Sequence, residues 1–346
     1  MTAVVAVRGP VDSSDLGITL THEHIFNDVS SWWQRSTSTG LDPEAFADTP
    51  VSMDLLWELR QDPFGNRDNC RLDDLELASA EVSRFAALGG RTIVETTGLG
   101  IGRDLARLRE VSERTGVHVV AGTGFYLEAA QPAWARTASV AELAETLAAD
   151  LADGVDGVRP GIIGEIGVSA DFTAAERTSL AAACAVQPTV GLPMQVHLPG
   201  WYRLAEEVLD VVEQAGVDLR HVVLCHMNPS CVDLDYQRRV LRRGAWVQYD
   251  MIGAEVYYAD QGVQCPSDEQ SAAAVATLVR EGFANRLLLS SDVFLKSLLR
   301  HYGGPGYGHV LQYFLPRLAR HGVDPSTLEQ LTVTNPRRVF ETAKGD

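Results

Sequence analysis

Residues 17–26, GITLTHEHIF, place two histidines at the end of an apolar run with a glutamate between them. Side chains alternate across an extended chain, so His22 and His24 share one face and Glu23 takes the other. If the run is a strand whose inner face lines a closed barrel, both imidazoles point into its mouth. His-x-His alone leaves two readings open, a pair of metal ligands and an ordinary hydrogen-bonded strand end. The rest of the chain bears on that choice.

Seven more apolar runs follow: RTIVETT (91–97), VHVVAGTGFY (117–126), GIIGEIGVS (161–169), PMQVHL (193–198), HVVLCHM (221–227), AWVQYDMI (245–252) and RLLLSSDV (286–293). Amphipathic stretches separate them. DLELASAEVSRFAALGG (74–90) ends in a double glycine suited to a helix C-terminus, and TAAERTSLAAACAVQ (173–187) opens with Thr173 and Glu176 at capping-box spacing. Strand alternating with helix implies parallel pairing through crossovers. Eight such units in 346 residues predict an α/β chain folded as a (β/α)8 TIM barrel with a long first βα loop. An open doubly wound sheet ranks second, because no Gly-x-Gly-x-x-Gly turn follows the first strand. No repeat or linker divides the chain, so 1–346 is expected to form one barrel domain.

The first βα connection is the exception to the short-loop pattern. It runs about 45 residues from Ile25 to Cys70, well beyond ordinary connections, and carries SSWWQRS (30–36) and DLLWELRQDPFGNRDN (54–69). On a barrel it would lie across the C-terminal mouth. Trp32, Trp33 and Trp57 favour an ordered cover, with a subunit interface or plain packing as the alternatives.

A hydrophobic content of 45 % is enough for a large core, and a formal net charge of −17 without any basic cluster excludes a nucleic-acid partner. A small-molecule substrate is the expectation. No run of about 18 apolar residues occurs and MTAVVAVRGP carries no basic leader, so neither a membrane span nor export is expected; the default compartment is cytoplasmic. Five cysteines, scattered and without Cys-x-x-Cys spacing, fit reduced thiols.

Polar residues recur where a barrel would use them. Glu165 in GIIGEIGVS, His197 in MQVHLPG, His226 in VVLCHMN and Asp292 in LLLSSDVF each end an apolar run. Ile163, Glu165 and Gly167 alternate with Ile162, Gly164 and Ile166, so Glu165 can face inward while isoleucines face the helices. An isolated carboxylate there is expensive to bury and calls for a cation. Together with His22 and His24, these residues supply donors for two divalent metal ions, zinc first, with manganese, cobalt or iron as alternatives. Two such ions bring about +4, Glu165 and Asp292 about −2 and a bridging hydroxide −1, leaving about one net positive charge to polarise a substrate oxygen. Hydrolysis is the chemistry that follows.

Several stretches resemble the phosphotriesterase-like family of the amidohydrolase superfamily: THEH (21–24), GGRTIVETTGLGIGRD (89–104), GTGFY (122–126), GIIGEIG (161–167), SSDVFLKSLLRHYGGPGYGH (290–309) and TNPRRVF (334–340). The resemblance runs nearly end to end. It implies that His22 and His24 bind a buried metal, His197 and His226 an outer one, that Glu165 bridges both, and that Asp292 binds the first and shuttles protons. It also implies dimerisation, a homodimer being common among such barrels. Founding members carry a carboxylated lysine at the bridge, whereas this chain offers Glu165, as in the phosphotriesterase-related branch, which the insert DPFGNRDN also resembles. Tyr126 matches a tyrosine that in lactonase-like relatives meets the substrate carbonyl or leaving oxygen; capping the barrel is the alternative.

Other residues carry less. YGGPGYGH (302–309) is either a phosphate-binding loop or a turn that lets the chain leave the barrel. Lys296, one of two lysines, meets an anionic group or forms a surface ion pair. Arg103 is expected to support the loop after the second strand. His118 and His221 begin their strands and face the wrong end, His301 and His321 read as surface, and His309 stays undecided. The sequence thus predicts a binuclear metal-dependent hydrolase of a lactone, ester or N-acyl amide, acting through a metal-bridging hydroxide. A phosphotriester hydrolase, a one-metal enzyme and a non-catalytic ligand-binding barrel are the alternatives.

Overall fold

The computed structural model describes residues 2–38 and 42–342. Eight parallel strands, β1 (Ile18–Glu23), β2 (Gly90–Glu95), β3 (His118–Thr123), β4 (Ile162–Gly167), β5 (Met194–His197), β6 (Val222–Leu224), β7 (Trp246–Tyr249) and β8 (Leu287–Leu289), pair in sequence order. β8 returns to β1: the Thr21 hydroxyl donates to the Leu289 carbonyl and the Asp292 N–H to the His22 carbonyl. The protein is a TIM barrel, as the strand and helix alternation predicts.

Small residues let the strands approach where the site is built. A Cβ on Gly122 would lie 2.2 Å from the Gly164 carbonyl oxygen, so β3 and β4 meet this closely only with glycine there. The outer faces of the strands pack on the helices in a continuous aliphatic core that includes Ile93, Val119, Ile163, Val196, Leu224 and Val247. The opposite end is closed by an antiparallel hairpin, Ala3–Ala6 with Gly9–Asp12, tied to β3 by the Val7 N–H donating to the Val119 carbonyl. The helix Ala174–Val190 opens with the expected Thr173/Glu176 capping box. The helix Leu75–Ala87 ends at Leu88, with Gly89 next in the left-handed region.

The observed strands are shorter than the apolar runs. β6 stops at Leu224 and β8 at Leu289, because the chain then turns and reaches φ of +57° at His226 and +49° at Asp292. Both candidate ligands therefore sit on irregular backbone just past the strands, a conformation that costs energy for residues with a side chain and recurs at functional sites.

The long first connection is an ordered cover in its described parts; Thr39 to Leu41 lie outside the described residues. It holds two helices, Pro43–Asp48 and Leu56–Gln61, and a short strand Asn27–Asp28 paired with Arg71–Leu72. Trp32 stacks on Phe64 with centroids 5.4 Å apart, and the Arg67 guanidinium lies 3.9 Å from the centre of the Trp33 ring. Trp57 takes no part in this cover, since its side chain is 68 % exposed on the outer face of its helix. Lys296 forms an ion pair, but a part-buried one: its side chain is largely buried and its ammonium meets the partly exposed Asp68 at 2.5 Å, pinning DPFGNRDN to the segment after β8.

Candidate metal centre

The six candidate ligands reach the C-terminal mouth from five stretches of backbone, His22 and His24 sharing one, yet their donor atoms converge. His22 Nε2 lies 3.7 Å from Glu165 Oε2 and 3.6 Å from Asp292 Oδ1. His24 Nε2 lies 3.6 Å from Glu165 Oε1 and 3.4 Å from Asp292 Oδ1. On the outer side His197 Nδ1 and His226 Nε2 approach Glu165 Oε2 at 3.0 and 3.2 Å and each other at 2.8 Å. Glu165 therefore stands between the two histidine pairs, and all six residues are buried or nearly so.

The other ring nitrogen of three histidines is engaged, which fixes the lone pair aimed at the centre. His22 Nδ1–H donates to Gln195 Oε1 at 3.0 Å, and the Gln195 amide donates to the Thr21 carbonyl. His24 Nδ1–H donates to the Thr97 hydroxyl at 2.8 Å, which in turn donates to the Glu95 carboxylate. His226 Nδ1–H donates to Asp250 at 3.0 Å. With its partner nitrogen spent, His22 Nε2 is buried and has no hydrogen-bond partner among the described residues. An orphaned imidazole nitrogen facing two carboxylates is a donor set that lacks its acceptor, and imidazole plus carboxylate suits a divalent metal. His22 joins His24 and Asp292 in one cluster of metal-capable atoms, and Glu165 and His226 in another.

Charges in the cluster point the same way. Burial pushes Glu165 up, but His22 and His197 outweigh it and hold the carboxyl well below its usual range. Burial pushes His24 down, yet the Asp292 carboxylate prevails and raises it to about 9. His226 is likewise disfavoured by burial and carried well above its usual value by Asp250. Burial and the neighbouring His226 lower His197. The carboxylates and imidazoles of the pocket thus balance one another's charge, and a bound cation would take over that role.

Glu23 points away from the metal face, as the strand alternation predicts, but it is not idle. Its buried carboxylate accepts from the Ser290 hydroxyl at 2.7 Å and from the Ser291 and Val293 N–H groups at 2.8 and 2.9 Å. These three donors bracket Asp292 and hold its left-handed backbone in place. Burial pushes the Glu23 carboxyl up to about 8 against those hydrogen bonds.

Tyr126 lies just past β3, its ring 5.0 Å from the His197 ring and edge-on to it. Burial, followed by the charges of Glu165 and Asp292, raises its phenol well above the usual value, so it is a hydrogen-bond donor. It faces a cavity of about 290 Å³ above the histidines, walled by the cover and by the loops after β4, β5, β7 and β8.

The remaining sequence expectations sort by geometry. Arg103 forks onto Asp150 and donates to the Gly122 carbonyl, supporting the β2–β3 region. His309 pairs with Asp268 at 2.7 Å, away from the cluster. YGGPGYGH forms turns, and its Tyr307 hydroxyl donates to the His24 carbonyl. Sequence reasoning missed Glu95, Thr97, Gln195 and Asp250. Gln195 was signalled, since it shares the inward face of β5 with His197; Glu95 and Asp250 carried only the weak mark of an acid at a strand end.

A model of the phosphotriesterase family matches residues 2–340. Among curated relatives, an N-acetyltaurine hydrolase from Tetraodon nigroviridis is 34 % identical over 340 residues, covering 96 % of each chain. Among solved structures, a resiniferatoxin-binding protein from Rhodobacter sphaeroides superposes with a TM-score of 0.95 at 53 % identity, over 98 % of this chain and 95 % of that one. A variant of a lactonase from Deinococcus radiodurans gives 0.76 at 26 % identity, over 97 % and 99 %.

Proposed function

Because the chain belongs to the phosphotriesterase family and is a metal-dependent hydrolase, we propose that it cleaves a carboxyl substrate, a lactone, ester or N-acyl amide. The observation that carries this is the buried, unpartnered His22 Nε2 facing Glu165 and Asp292. His22, His24 and Asp292 would hold one divalent ion, His197 and His226 a second, with Glu165 between them. The two ions, zinc in the simplest case, would supply Lewis acidity toward the scissile carbonyl and a bridging hydroxide at neutral pH.

The chain's own groups do the rest. The cover and the loop carrying Trp201 keep bulk water away from the reacting bond. The Tyr126 phenol, a donor beside His197, hydrogen-bonds the substrate carbonyl or the departing oxygen or nitrogen. Asp292, fixed by the Glu23 clamp, accepts the proton released as the water oxygen bonds to the acyl carbon, and returns it to the leaving group. The products are a carboxylic acid and an alcohol or amine, or one hydroxy acid from a lactone. The names of the N-acetyltaurine hydrolase and lactonase relatives support acyl over phosphoryl chemistry.

The test is elemental analysis of protein purified without chelators, paired with an ester, lactone, amide and phosphotriester screen on the parent, His24→Ala and Glu165→Ala. About two divalent ions per chain, with metal and activity lost together in the variants, is the outcome the binuclear set requires. Full activity in His24→Ala with added metal would end this reading, and phosphotriester turnover far above the acyl substrates would reverse the substrate preference. The resiniferatoxin-binding relative favours a second reading, a barrel that holds an apolar ligand without cleaving it. Tight binding with no turnover in any metal-loaded sample would select that one.

A further inference from the structure

The cavity above the histidines has a wall of unusual composition. Trp32, Phe64, Trp201, Tyr202, Tyr258 and Phe294 all face it. The rings form a connected series: Trp32 on Phe64 at 5.4 Å, Phe64 on Tyr258 at 5.1 Å, Trp201 on Tyr258 at 5.3 Å, and Phe294 edge-on to His24 at 6.5 Å. Among the described residues, no arginine or lysine lines the cavity, although the chain has 29 of them. The charged residues that line it besides the candidate ligands are Asp171 and Asp260 on the rim, both exposed.

This composition settles which charge the wall can receive. A sulfonate, carboxylate or phosphate on the non-reacting end of a substrate would meet a wall of aromatic rings and two carboxylates. No guanidinium or ammonium in the lining would pair with it. An ammonium group gains from the same surroundings: it is attracted to tryptophan and tyrosine faces and to the rim acids.

We infer that the substrate's non-reacting end is an alkyl or aryl ammonium group, held between the Trp201 and Tyr258 rings and the Asp171 and Asp260 carboxylates. The inference rests on the hydrolase reading for the position of the reacting bond, with the acyl group over the metal centre and the cationic portion directed to the rim. It makes the site one for acyl esters or amides of amino alcohols and polyamines, not of sulfonated or carboxylated amines.

Binding and turnover test it separately. The zinc-loaded protein is titrated with three ligands of matched shape, benzyltrimethylammonium, neopentylbenzene and phenylmethanesulfonate, following tryptophan fluorescence. The cation is expected to bind about tenfold more tightly than its neutral isostere, with the sulfonate weakest. Asp260→Asn should narrow the gap between cation and neutral ligand severalfold, and Trp201→Leu should weaken the cation most. Equal or tighter binding of the sulfonate, or a cation advantage untouched in the Asp171→Asn/Asp260→Asn double variant, overturns the inference. In parallel, kcat/KM is measured for the acetates of choline, 3,3-dimethylbutanol and 2-hydroxyethanesulfonate. The same order in turnover supports it, and a flat or reversed order among hydrolysed esters overturns it. If none is cleaved while the binding order holds, the ammonium site stands and the hydrolase reading is what has failed.

Discussion

The floor of the site and its cover are built by different physics. The floor is a buried polar network in which three of the four histidines are turned by a partner of their own, Gln195, Thr97 or Asp250, and Asp292 is bracketed by the Glu23 carboxylate. The cover is held by ring contacts, by the ion pair of Lys296 with Asp68, and by the Lys296 and Ser297 N–H groups donating to Asn69. Polar networks specify geometry, and a misplaced donor disables them. Apolar contacts specify volume and tolerate adjustment. The contrast implies that chemistry is fixed in the floor and substrate choice in the cover, and that damage to one should leave the other readable.

The strongest way to break that separation is through the cover's centre. Phe64 is buried and touches Trp32, Tyr258 and Phe294. Phe64→Ala should cost about 3 kcal/mol of stability through the cavity it leaves and raise KM. Metal content by elemental analysis should stay at the parent level. A loss of metal in this variant would show that cover and floor are one unit.

Next comes the floor itself. Asp250 accepts from His226 Nδ1–H and from the His226 backbone N–H. Asp250→Asn keeps the shape but weakens the acceptor, and metal affinity should fall about 10- to 100-fold, read by competition with a chromogenic chelator. Glu23→Gln sets an amide against the Ser291 and Val293 N–H groups that the carboxylate now accepts. It should lower kcat by a comparable factor while KM changes little. A rise confined to KM would place Glu23 with the cover.

How much of this the sequence disclosed follows the same division. His22 and His24 were readable because a period of two gives them one face, and Glu165 because a charge ending an apolar run stands out; its face was not set by the alternation, since Ile163 packs outward and the β4–β5 register shifts between Ile163 and Ile166. Tyr126, His197, His226 and Asp292 followed from their places at run ends, although His226 and Asp292 lie beyond the strands on left-handed backbone that periodicity cannot signal. Asp250 and Glu95 were not readable. Among 46 acidic residues, a strand-end acid bears no mark of its partner until the barrel closes. The cavity wall was less accessible still, since Phe64, Trp201 and Tyr258 come from three connections far apart in the chain and meet only in the closed fold. Trp57 shows the reverse error. An aromatic near two others in sequence was grouped with them, while the turn of its helix carries it to solvent.

Lys296 tests whether the ion pair or the rings hold the cover down. The Lys296 side chain is 12 % exposed and that of Asp68 35 %, so solvent screens the pair in part and Lys296→Ala should cost about 1 kcal/mol. A thermal melt checks the cost, and steady-state kinetics should show a modest rise in KM with kcat nearly kept.

The smallest expected effect closes the series and guards its logic. Trp57 belongs to the same connection as Trp32 and Phe64, and a view in which every aromatic of that connection shapes the cavity would give its loss a consequence. With 68 % of its surface exposed and no place among the cavity residues, Trp57→Ala should change stability by no more than about 0.5 kcal/mol and leave KM as it was. A KM shift as large as that of Phe64→Ala would mean the cover moves as a body, its outer helix coupled to the wall, and substrate choice would then be a property of the whole connection instead of the rings that line it.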